Sequence, residues 1–274
     1  MTRLYLFAHF DDEYLAWPLI RARAMAGEDQ VFLYAADYAD PEEARRRQAE
    51  TAAFLRHAGV THARVIHTGA GTGAVDGRIH RHLPGAYAAV ETAARRLGKI
   101  ARLTVCAWEG GHMDHDCCAA MAVKLADVLA IPSLQQVSLY NAKGLPPPFQ
   151  HGAAPLPENG PVIQLKLKGP DWLSWMGAVR FFPSQATVWA GLWPAMFFGM
   201  ARRGFGYQKL DPARVRERPH RGGLYYERCF KVPYAEVRAA VDAFLTAAPA
   251  PAARRTAQRA SARSPRRSAS SPAP

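Results

Sequence analysis

Six of the chain's histidines and aspartates fall in two short strings. His9, Asp11 and Asp12 lie in Ala8-His9-Phe10-Asp11-Asp12-Glu13, and His112, Asp114 and His115 lie in Gly111-His112-Met113-Asp114-His115. A hydrolytic zinc site takes three protein ligands from His, Asp, Glu and Cys and leaves one position open for water. His9, Asp12 and His115 would supply such a set for Zn2+ or another divalent transition metal. Asp11 and His112 would then stand beside it, Asp11 for proton transfer and His112, if protonated, for holding developing negative charge. Asp114 suits the orientation of His112 through a hydrogen bond, and Glu13 suits a buttress for the first loop. Taken alone, each string could be a turn or cap, since such residues are common where strands end, and Asp11 could cap the helix after it. Two such strings at equivalent places in distant parts of the chain argue for one site folded together.

The elements that must position these residues are legible around them. Each string follows a short apolar run, Leu4–Ala8 or Leu103–Ala107, that reads as a buried strand. Strands are expected over Arg3–Ala8, Gln30–Ala36, Ala63–Thr68, Arg102–Trp108 and Gln136–Tyr140, with helices over Tyr14–Ala26, Pro41–His57, Gly85–Leu97 and Asp114–Leu129. This alternation predicts an α/β fold, a Rossmann-like parallel sheet flanked by helices. The two strings would leave the first and fourth strands at the switch point, the edge where open sheets bind ligands. Gly69-Ala70-Gly71-Thr72-Gly73 lacks the spacing of a dinucleotide fingerprint and reads as a rim loop.

At these residues the chain resembles the PIG-L/LmbE-like zinc-dependent de-N-acetylases, whose two motifs read Ala-His-Pro-Asp-Asp-Glu and His-Pro-Asp-His. Arg47 and Glu50, followed by Ala58-Gly59-Val60, resemble that family's Arg-x-x-Glu helix and the turn after it. Asp76-Gly77-Arg78-Ile79 is similar to its Asp-Gly turn, and Glu227-Arg228-Cys229-Phe230 to a late Glu-x-Phe. The likeness covers roughly residues 3 to 131. Both motif prolines are replaced, by Phe10 and Met113; proline stiffens a loop but binds no metal. The resemblance implies hydrolysis of an N-acetyl group on an N-acetylglucosamine-type sugar, with Arg47 and Asp76 holding sugar hydroxyls. The alternatives are a zinc amidase or peptidase on a non-sugar amide, and a metal-binding homologue without turnover.

The formal charge is +12, but Arg254, Arg255, Arg259, Arg263, Arg266 and Arg267 supply six of it, in a stretch with no acidic residue. That composition predicts a disordered tail over 249–274 and argues against a nucleic-acid-binding body. The expected organisation is thus a deacetylase-like domain over 1–248 and the tail. Within the domain, 1–140 is the metal-bearing α/β core and 141–248 an irregular, aromatic-rich cap facing a small N-acetylated sugar substrate. Trp172, Trp175, Phe181, Phe182, Trp189, Trp193, Phe197 and Phe198 read mainly as core under that cap. A membrane surface would be met only through the tail or these aromatics. The four cysteines show no disulfide framework, and Cys117-Cys118 packs as small apolar side chains. The short N-terminal apolar stretch runs into three acids, so no leader is expected and the cytoplasm is the expected compartment.

Overall fold

Strand β1 (Thr2–Phe7) has Leu4, Tyr5, Leu6 and Phe7 buried, as a central strand covered on both faces must. The structure, a computed structural model, describes residues 1–247; the expected tail at 249–274 lies outside them. After β1 come a 3-10 turn at Asp12–Ala16 and helix α1 (Trp17–Met25). Then follow β2 (Gln30–Tyr34), α2 (Pro41–His57), β3 (Arg64–His67), α3 (Leu83–Arg95), β4 (Ile100–Cys106), α4 (Met113–Val128) and β5 (Leu134–Val137). Two short strands, β6 (Tyr140–Asn141) and β7 (His151–Gly152), pair with each other; β8 (Ile163–Leu165), α5 (Gly169–Gly177), α6 (Ala186–Arg203), β9 (Phe205–Lys209), α7 (Tyr225–Cys229) and α8 (Tyr234–Thr246) complete the described chain.

The main sheet runs β3-β2-β1-β4-β5-β9-β8. The first five strands are parallel; β9 runs antiparallel to β5, and β8 antiparallel to β9. The α/β expectation therefore holds, with one amendment. The second half of the chain does more than cap, because β8 and β9 extend the sheet itself. The stretch expected to be irregular also contains an 18-residue helix, α6. No helix among the described residues is long and apolar enough to cross a membrane.

Alternation along the strands divides the core in two. Leu4, Leu6, Val31, Leu33, Leu103 and Val105 face one layer, with residues of α3, α4 and α8. Tyr5, Phe7, Phe32 and Tyr34 face the other, with Trp17, Phe54, Trp175 and Trp189. Helix α2 shows how local chemistry fixes an element. Asp40 caps it by accepting the Glu42 N–H at 2.9 Å, Pro41 sits in its first turn, acids open it and Arg56 and His57 close it.

Register then places the two strings together. Leu6 pairs with Val105 across β1 and β4, so both strands end at one edge and release their loops side by side. The second loop passes so close to β6 that a Cβ on Gly111 would lie 2.0 Å from the Tyr140 carbonyl oxygen. Gly111→Ala is therefore expected to cost about 1–3 kcal/mol of stability, read as a lowered midpoint in denaturant. An unchanged midpoint would mean that the loop does not run against β6.

Candidate metal centre and active site

Asp12 is the hinge of the first loop. Its Oδ2 accepts the N–H groups of Ala8 at 3.0 Å and His9 at 2.8 Å, which leaves Oδ1 facing His115 Nε2 at 3.1 Å. Burial opposes ionisation, but His115 and His9 outweigh it and hold the carboxyl well below the usual range. His9 Nε2 lies 3.0 Å from Asp76 Oδ1 and 3.1 Å from Asp114 Oδ2, and its Nδ1 is 3.8 Å from Asp12 Oδ2. Burial pulls the His9 imidazole down; Asp76, Asp114 and Asp12 together push it well up.

Ligand atoms of His9, His112 and His115 lie within 4.8 Å of one another, as do those of Asp12, Cys106 and His115. His115 joins the two groups, and its Nδ1 is buried with no hydrogen-bond partner. Imidazoles and a carboxylate brought this close together fit a divalent ion such as zinc. Cys106 is the thiol near this set, its Sγ 3.7 Å from Asp12 Oδ2, but burial pushes it well up and it does not line the cavity. Cys117 and Cys118 pack in the apolar layer around α4.

Asp11 turns the other way. Its φ of 123° is a conformation L-residues rarely adopt, and costs roughly 1–3 kcal/mol. Three contacts hold it. Its N–H donates to Glu13 Oε2 at 3.0 Å, Oδ1 accepts from Arg47 Nη2 at 3.3 Å, and Oδ2 accepts from Trp189 Nε1 at 3.1 Å. Desolvation raises Asp11 to about 7 in spite of Arg47. The Glu13 that accepts the Asp11 N–H is wholly buried, and burial raises it to about 8.

His112 and Asp114 differ from expectation in a specific way. The Asp114 carboxylate makes no hydrogen bond to His112, whose Nδ1 lies 3.8 Å away: its oxygens accept Gly77 N–H at 2.6 Å and Ile79 N–H at 3.0 Å and reach His9. The backbone N–H of Asp114 instead donates to His112 Nδ1 at 3.2 Å, making His112 the cap of α4. An accepting Nδ1 leaves the proton on Nε2. Burial, with His9 and His115 close by, lowers His112 to about 4, which favours the neutral ring. Asp76 lies on the rim, its carboxyl held low by His9, His112 and Arg47 against the effect of burial. Arg47 is buried, donates to the Phe10 carbonyl at 2.8 Å as well as to Asp11, and lies over the Tyr38 ring.

These side chains line a cavity of about 190 Å3. Ligand pockets for drug-sized molecules run to roughly 300–1,000 Å3, so only part of a larger substrate enters. One wall is His9, Asp11, Asp12, Asp76, His112 and His115; the other is apolar, with Val188, Leu192 and Met196 of α6. Phe230 also lines the cavity, its ring 4.8 Å from that of His112, edge-on. The places of Trp189, Tyr140 and Cys106 at the site were not legible in the sequence, because each is set by long-range packing and carries no local motif. Both replaced prolines have compensation. Phe10 is packed against Tyr34, and its N–H, which a proline would lack, donates to Tyr38 Oη at 3.1 Å. Met113 is buried at the first turn of α4.

No family model matches the chain, and no curated protein matches it by sequence. Solved structures do. The zinc-inhibited form of teicoplanin deacetylase Orf2 is 17% identical, with a TM-score of 0.57 over 77% of this chain and 98% of that one. The A40926 pseudoaglycone deacetylase Dbv21 is 16% identical, with a TM-score of 0.54 over 76% of this chain and 96% of its own. The conserved protein TT1542 from Thermus thermophilus is 17% identical, with a TM-score of 0.51 over 77% and 95%. The chain shares their fold.

Two expectations follow. Because the Asp11 carboxyl titrates near 7 when folded and near 3.8 ordinarily, the stability of its protonated form is complete below the lower value and lost as pH rises through the upper one. In metal-free protein, Asp11→Asn should therefore raise the thermal midpoint relative to the native chain more at about pH 8 than at about pH 5. An equal effect at both would contradict the burial of this carboxyl. Trp189→Phe keeps the packing but removes a donor to a carboxylate, and should cost about 1–3 kcal/mol. No loss would mean that the contact does not hold Asp11.

Proposed function

We propose that the chain is a metal-dependent hydrolase of the PIG-L/LmbE-like kind, removing the N-acetyl group from an N-acetylglucosamine-type sugar conjugate. One observation carries this reading. A carboxyl raised to about 7, Asp11, shares a cavity with the His9, Asp12 and His115 donor set. A general base works best when it titrates near the operating pH. The fold shared with teicoplanin deacetylase Orf2 and the A40926 pseudoaglycone deacetylase Dbv21 supports removal of an acetyl group.

His9, Asp12 and His115 would hold the ion, which when bound supplies a Lewis acid for the amide carbonyl and acidifies water. Asp11 takes a proton from the attacking water and returns it to the departing amine. Its strained backbone, Arg47 and Trp189 fix where its oxygens point. His112 donates from Nε2 toward the oxygen that gains charge. A neutral imidazole suffices for this, because a preorganised donor in a buried site need not carry charge. Asp114 ties the Gly77–Ile79 turn to His9 and so positions Asp76. Arg47 and Asp76 are the candidates for the sugar ring, Asp76 from the rim and Arg47 from beneath Asp11.

Acetate release by zinc-loaded protein from N-acetylglucosaminides, simple acetylated amines and N-acetyl amino acids tests the proposal. The sugars should be cleaved fastest, and Asp11→Asn should retain metal while losing roughly 10²–10⁴ in rate. Faster turnover of the non-sugar amides would replace the sugar assignment with the amidase reading; near-native turnover in Asp11→Asn would remove Asp11 from the chemistry.

A further inference from the structure

Helix α6 does not look like a solvated helix. Surface helices set an apolar stripe against a charged face, yet from Ala186 to Ala201 this one has no charged residue, and its outward positions include Val188, Ala190, Gly191, Pro194 and Phe198. Val188 is 51% exposed and Phe198 70%; on the neighbouring helix α5, Leu173 is 66% exposed. These side chains are not isolated. Trp172 packs on Phe197 with ring centroids 5.3 Å apart, and Phe197 packs on Trp193 at 5.0 Å and on Phe198 at 5.5 Å. The result is an aromatic patch spanning α5 and α6, of the kind that marks an interaction surface.

Charge along the segment that carries the patch is mostly positive. No acidic residue occurs between Asp171 and Asp211, whereas Arg180, Arg202 and Arg203 do, with Lys166 and Lys168 just before. Lys166 and Arg203 share a shallow groove with Trp172. The acids that touch this region are engaged: Asp171 by Arg21 at 2.8 Å, and Glu50 by the Ser184 N–H at 3.0 Å. Partly buried aromatic residues in a basic rim match the boundary of an anionic lipid surface, where Trp and Phe sit at headgroup depth and Lys and Arg meet the phosphates. The patch also leads to the cavity, since Val188 and Leu192 line it from the same helix.

We propose that the α5–α6 face docks on an anionic lipid bilayer and presents the cavity mouth to the membrane interface. Docking there would bring the site to amphiphilic molecules whose polar heads project from the bilayer. This surface is independent of the chemistry inside the cavity, so its test reads binding rather than turnover.

Co-sedimentation of the full chain with phosphatidylcholine vesicles, with and without phosphatidylglycerol, is the experiment. The native chain should bind the vesicles containing phosphatidylglycerol and bind phosphatidylcholine alone far less. Leu173→Glu combined with Phe198→Glu should weaken that binding by about tenfold or more, and Arg202→Glu should weaken it less. Both variants should keep the native thermal midpoint, because the altered side chains are exposed. All variants carry the same basic C-terminal stretch, so a difference between them reports the α5–α6 face alone. Absence of binding by the native chain would overturn the proposal, as would equal binding by the double variant. Self-association of the native chain that Phe198→Glu abolishes would overturn it too, assigning the face to a second copy of the chain.

Discussion

Asp11 and Asp12 are neighbours in sequence and opposites in charge behaviour, and the site depends on keeping them so. Asp12 faces β4 and α4, where His115, with His9 of its own loop, stabilises its negative charge; Asp11 faces α2 and α6, where burial prevails over Arg47. Two like charges on adjacent residues in a buried site would repel strongly. The unusual φ of Asp11 sends the two carboxyl groups to different surroundings. In the proposed mechanism the first of these settings suits Asp12 to hold a cation and the second suits Asp11 to exchange a proton near neutral pH. The backbone strain is offset by hydrogen bonds to Glu13, Arg47 and Trp189, which come from three separate elements.

Much of the surrounding structure serves this arrangement. Pairing of β1 with β4 brings the two loops together, and capping of α4 by His112 fixes where His115 enters. Asp114, wholly buried, fastens the turn that carries Asp76. Glu109 fastens the opposite wall, accepting the N–H groups of Leu139 and Tyr140 and the hydroxyl of Ser138. Arg47 is placed for Asp11 at least as much as for a ligand. Its guanidinium already contacts the Phe10 carbonyl, the Asp11 carboxylate and the Tyr38 ring.

The first half of the fold was legible mainly because β1, β2 and β4 carry short apolar runs, each followed by a helix. The strings at the ends of β1 and β4 were legible because few other roles call for His and Asp at such spacing. Strands β8 and β9 were not. They are short, β8 is largely exposed, and their place in the sheet is set by antiparallel pairing across the whole of α5 and α6. Roles that depend on direction were also hidden. Spacing put Asp114 beside His112, but only the folded loop shows its carboxylate turned to His9 and its N–H to His112. Trp189 was visible as an aromatic, and its hydrogen bond to Asp11 was not, since nothing local joins the two residues. The aromatic stretch proved to be two things at once: Trp175, Phe182 and Trp189 are core, while Phe198 and Leu173 are surface.

The central claim is that His9, Asp12 and His115 form a nitrogen and oxygen donor set for a divalent ion beside Asp11. X-ray absorption on the zinc-loaded chain tests it most directly, because Zn–S distances of about 2.3 Å separate clearly from Zn–N and Zn–O distances of about 2.0–2.2 Å. One tightly held zinc per chain is expected, with two imidazole scatterers, only light-atom neighbours and no sulfur, and the signal should be lost in His115→Ala. A sulfur neighbour would place Cys106 in the set, and failure of the native chain to hold zinc in stoichiometric amount would contradict the metal centre itself.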